Sequence, residues 1–63
     1  MHSDLAEISS ISTALGEMKG RVTTMADRHH LDERDDIAGE LYEVERSLRM
    51  AERRLEAARR AIG

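Results

Sequence analysis

Eight apolar residues between Ile37 and Ile62 dictate most of what this chain can become. Ile37, Leu41, Val44, Leu48, Ala51, Leu55, Ala58 and Ile62 follow one another at alternating spacings of 4 and 3 residues, an unbroken heptad seam. A repeat averaging 3.5 residues holds one apolar stripe on a single helix face, and that stripe leaves water only by meeting another helix. A second series lies upstream. Ile8, Ile11, Leu15, Met18, Val22 and Met25 run at spacings of 3, 4, 3, 4 and 3, with Leu5, Ala14 and Ala26 widening the stripe. Two heptad helices in one short chain predict an all-α fold.

The residue types agree. There is no Pro, Trp or Phe and one Tyr, and 37% of residues are charged, whereas strands favour aromatic and β-branched side chains. A chain of 63 residues makes one domain at most, with a core too small to be comfortably stable alone. Without Cys it has neither a disulfide nor a thiolate metal site, so the missing stability must come from close helix packing or a second chain. A net charge of -3 argues against general nucleic-acid binding, which needs a basic surface to displace counterions from phosphates. No apolar run approaches the roughly 18 residues of a membrane span, and Asp4 and Glu7 stand where a targeting segment would be basic; no membrane association and a cytoplasmic residence are expected. Nine Arg against one Lys, with abundant Ala, suggests a GC-rich bacterial or phage genome.

Taken in order, Ser3 is the expected N-cap of helix 1, with Asp4 and Glu7 at the positive end of its dipole. This helix is expected over about 4–27. Its Ser, Thr and Gly residues, among them Ser9, Ser12, Gly16, Gly20 and Thr23, lower its intrinsic helicity, so it orders by packing. The apolar heptads lapse between Ala26 and Asp36, which places a turn at about 28–32. Asp32 is the expected N-cap of helix 2, about 33–62, and Gly63 its close. Glu45 with Arg49 and Glu56 with Arg60 are Glu-first pairs four apart.

A short turn makes the helices antiparallel. The expected register pairs residues whose numbers add to 59: Ile8 with Ala51, Ile11 with Leu48, Leu15 with Val44, Met18 with Leu41 and Val22 with Ile37. The hairpin seam is then Ile8, Ile11, Leu15, Met18, Val22 and Met25 against Ile37, Leu41, Val44, Leu48 and Ala51, with Lys19 beside Glu45 and Arg21 beside Glu33. Helix 2 would outrun helix 1, leaving Leu55, Ala58 and Ile62 with little but Met1 and Asp4 for cover. These three, with Glu40, Glu45, Arg54 and Arg59, are the expected oligomer or partner interface. Parallel self-pairing of helix 2 sets Glu40 against Glu45 and Arg54 against Arg59, whereas antiparallel pairing sets Glu40 against Arg54 and Glu45 against Arg59. An antiparallel homodimer of hairpins forming a four-helix bundle is therefore expected. Charge and compactness disagree on its offset, because full overlap would centre near Leu41 and Val44 and bring Glu40 and Glu45 towards their copies. In architecture this is similar to the Rop family of plasmid copy-number regulators, dimeric helical hairpins that bind paired RNA loops. That family's RNA face carries Lys, Asn, Gln and Phe. The outward positions of helix 1 here are Ser9, Ser10, Thr13, Gly16, Glu17, Gly20 and Thr24, so no binding residue carries over.

Little else carries chemistry. Asp27, His29, His30, Asp32, Asp35 and Asp36 gather around the turn, but zinc needs three or four ligands held together by further hydrogen bonds, which adjacent His in a turn rarely supply. Capping, solvation and a mild pH dependence are expected there, and no metal. Arg46, Arg49, Arg53 and Arg60 form a candidate anion or partner patch on the outer face of helix 2, without aromatic residues for base stacking. Gly16 and Gly20 fall opposite the seam, as does Tyr42. With no Cys nucleophile, no phosphate-cradling loop and no pocket within two helices, no catalytic or cofactor-binding residue is expected. The expectation is a non-enzymatic, self-associating hairpin that regulates or scaffolds through protein–protein contact, with a heterologous protein as a further partner. The alternative is a small nucleic-acid-binding regulator using the Arg-rich half of helix 2.

Overall fold

A computed structural model describes residues 2–63, with side chains from residue 4 onward. Two helices, α1 (His2–Leu31) and α2 (Asp35–Ile62), pack against each other as an antiparallel hairpin. At 1.5 Å per residue a helix of 30 residues spans about 45 Å, which accounts for the long dimension of a layer measuring 47 × 15 × 9 Å. No described helix is long and apolar enough to cross a membrane.

The first helix runs further than its apolar pattern indicated, because nothing stops it before Leu31. No Gly or Pro lies between Met25 and Leu31, and the end is set by backbone geometry. Arg34 N–H donates to the His29 carbonyl at 2.8 Å and Glu33 N–H to the His30 carbonyl at 3.0 Å. This six-to-one and five-to-two pair of bonds is a Schellman closure. Its left-handed position is held by Glu33, with φ of 60°. Asp32 is consequently part of the close of α1, its N–H bonded to the Arg28 carbonyl at 3.1 Å. It is not the cap of α2. That position belongs to Arg34, which makes no side-chain capping bond. The turn is thus Asp32–Arg34, later and tighter than 28–32. At the other end α1 already includes Ser3, so Ser3 is not its N-cap; the Ser3 side chain and Met1 lie outside the described residues. A left-handed conformation costs a non-glycine residue about 1–2 kcal/mol, and glycine gives back part of the gain as unfolded-chain entropy. Glu33→Gly should therefore stabilise the hairpin by roughly 0.5–1 kcal/mol, read from chemical denaturation at fixed protein concentration.

The extension slides and rotates the helices. Lys19 Nζ meets Glu52 Oε1 at 2.8 Å, not Glu45. Asp27 meets Tyr42, and a Cβ built on Gly16 or Gly63 would lie 3.6 Å from Glu52 or 3.9 Å from Leu5. Facing numbers in these contacts add to between 68 and 71, in place of 59. Helix α2 therefore ends about one turn short of the start of α1. The expected overhang of Leu55, Ala58 and Ile62 does not exist, and Leu55 is half-buried inside the hairpin.

Rotation changes which rows meet. The row Ile8, Leu15, Val22 faces the row Leu41, Leu48, Leu55, but the second row from each helix is not the apolar one. Leu5, Ser12, Lys19 and Ala26 of α1, with Ala38, Glu45 and Glu52 of α2, are buried or half-buried. Ile11, Met18, Val44 and Ala51, expected in the seam, are exposed, whereas Met25 and Ile37 are half-buried at its edge. Of the described residues only Ile8, Ala26 and Ala38 are buried. Ala26 and Ala38, both small and buried, flank the turn, where three connecting residues require the helices to approach closely.

Candidate functional site

The rotation gives the hairpin two unlike sides. In an antiparallel pair the residue just before each a position on one helix shares a side with its counterpart on the other. On one side this row is Ile11, Met18 and Met25 from α1 with Ile37, Val44, Ala51 and Ala58 from α2. Ile11, Met18 and Val44 are 42–44% exposed. Between the helices this side opens a groove of about 310 Å³ lined by Met18, Arg21, Val22, Met25, Val44 and Leu48. A monomeric protein rarely leaves so continuous an apolar strip in water.

The opposite side is polar and largely self-satisfied. Arg49 bonds Glu45 at 3.1 Å, Arg46 approaches Glu43 at 3.7 Å, and Glu56 takes Arg59 at 2.5 Å and Arg60 at 4.0 Å. The Arg59 hydrogen bond, more than its charge, holds the Glu56 carboxyl below its ordinary range. Arg49, Glu52, Arg53, Glu56 and Arg60 line an open cleft of about 490 Å³. The candidate patch of Arg46, Arg49, Arg53 and Arg60 is therefore brought together, but with carboxylates on three of its four members. Of the expected interface residues, Glu45 and Arg59 turn to partners in their own helix, Leu55 enters the hairpin, and Ala58, Glu40, Arg54 and Ile62 are exposed.

Tyr42 does not point freely outward. Its hydroxyl donates to Asp27 Oδ1 at 2.6 Å across the hairpin, and this bond, ahead of burial and the carboxylate charge, raises the phenol above 10.0. A raised phenol pKa adds stability that is complete below the unfolded value and lost as pH rises through the folded one. As the only Tyr in the chain, its absorbance at 295 nm should titrate above free tyrosine and move back towards it in Asp27→Asn. The other turn residues separate as well. His30 Nδ1 lies 3.1 Å from Asp35 and Arg34 pairs with Asp36, lowering the Asp36 carboxyl. Among the described residues no three His, Asp or Glu side chains are grouped as a metal ion would need. Gly16 is half-buried beside Glu52, whereas Gly20 faces open space.

Fold and surface together define an all-α two-helix hairpin with one open apolar side. The chain matches no protein-family model, no curated protein and no solved structure.

Proposed function

We propose that this chain is a self-associating helical hairpin that acts as a small regulatory or assembly subunit through protein–protein contact. The open apolar side carries this reading. Ile11, Met18 and Val44 are the large exposed members of two apolar rows, with Ala51 and Ala58 exposed beside them, and the hairpin has buried Ser12, Lys19, Glu45 and Glu52 at least partly in their place. Three buried residues among those described are too few to offset a backbone ordering cost of about 1–2 kcal/mol per residue. Covering the apolar side supplies the missing burial, at roughly 25 cal/mol per Å². Sedimentation equilibrium from micromolar to submillimolar chain, with circular dichroism at each concentration, tests it. Mass and thermal midpoint should rise together with concentration; a folded monomer throughout would remove the reading.

A further inference from the structure

We propose that the open apolar side seats a second copy of this chain, related by a two-fold axis parallel to the helices, so that both turns lie at the same end of a four-helix bundle and α1 of each copy packs on α2 of the other. The inference rests on the self-association reading and adds to it the face, the partner helix and the register.

Symmetry fixes the register. An axis parallel to the helices permits no sliding, so whatever faces across the hairpin at a given height must also face across the dimer at that height. Contacts within the hairpin fix those heights at numbers adding to about 68. At that setting three of the four α2 positions of the open row meet the α1 row, with Ile37 falling opposite Asp32 at the turn. Ile11 meets Ala58 of the second copy, Met18 meets Ala51, and Met25 meets Val44, so each large residue of α1 faces a smaller one of α2. Interdigitation of large on small is what close helix packing requires. Placing α1 on its own copy with Met18 against Met18 instead sets Ile11 against Met25, while on α2 Ala51 faces Ala51 across a gap.

Charges bordering the same side agree. Arg21, Arg28, Glu40 and Arg54 flank it, and none has an ion-pair partner among the described residues, in contrast to the paired arginines opposite. In the two-fold register Arg28 faces Glu40 of the second copy, Arg21 faces Ser47 and Arg54 faces Ala14, with no like charges opposed. Each helix then has only antiparallel neighbours, which aligns opposite dipole ends. The area is also suitable. A layer 47 Å by 15 Å presents about 700 Å² of outline, close to the roughly 800 Å² per partner of a standard interface.

The test uses the full chain, which has no Cys of its own. Arg21→Cys and Ser47→Cys are made as separate chains, both at exposed positions. Oxidised alone, neither should yield a disulfide-linked dimer; refolded together and oxidised, they should yield the mixed dimer. Glu40→Arg should weaken association by roughly 10-fold through two like-charge contacts, and adding Arg28→Glu should restore it. If the wild-type chain is dimeric but Ser47→Cys links to itself, the mixture fails to link, or the charge exchange fails to rescue, this docking is overturned while self-association stands. A wild-type monomer overturns both.

Discussion

Val44→Glu should abolish association and most of the helical signal with it. Val44 is 44% exposed on the open side, so within one hairpin the change costs little, and any large effect must arise where that side is covered. There the carboxylate is desolvated against Met25 of the second copy. Loss of the buried apolar contact and the penalty for an unpaired charge together amount to about 3 kcal/mol or more per site, counted twice in a symmetric dimer. Met18→Glu should act similarly. Met50→Glu is the control: Met50 is 52% exposed on the outer face of α2, and its replacement should change stability by less than about 0.5 kcal/mol. Equal tolerance at positions 44 and 50 in sedimentation and thermal melts would show that nothing covers the open side.

Gly20→Ala combined with Gly39→Ala should produce the largest stabilisation accessible without touching either contact face. Both glycines lie inside helices, and a Cβ at either position meets no atom within 4 Å. Alanine is better than glycine in a helix interior by about 0.8–1 kcal/mol each, so the pair should add nearly 2 kcal/mol. In a chain of this size that raises the thermal midpoint by roughly 4–8 °C for each kcal/mol. The association constant of the folded hairpin should stay unchanged. A change in it would mean that the outward faces at Gly20 or Gly39 take part in assembly.

The two-helix hairpin was legible in the sequence because heptad spacing survives any uncertainty about its ends. The pairing was not. Apolar rows along each helix are three wide, and a hairpin uses only two of them; choosing the most apolar pair put Ile11, Met18, Val44 and Ala51 inside, whereas the structure leaves them exposed. Ala26 and Ala38 carried the missing signal. Two alanines twelve residues apart on either side of a polar stretch are what a very short connection between helices needs, and they fix the rows that meet. Asp32 misled for a different reason. It has the residue type of an N-cap, but Glu33 adopts the left-handed conformation usually given to glycine, so the first helix closes through Asp32 and the second begins at Asp35 behind Arg34. The disagreement between charge and compactness in the dimer followed from the same misplaced turn. With the turn at Asp32–Arg34, the proposed two-fold docking brings the exposed rows and their flanking charges into one register.

The two most buried residues of the hairpin, Ala26 and Ala38, lie on either side of its turn, whereas Leu5 lies at the far end, close to Gly63. Loop-closure entropy is smallest for the nearest partners and grows with every turn added outward. Contacts beside Asp32–Arg34 therefore form at the lowest entropic cost, and the hairpin should zip from the turn towards its open end. Amide exchange should follow the same gradient, slowest in the helical turns around Ala26 and Ala38 and fastest at the ends, so that the ends of the hairpin are also the last part of it to be set in order.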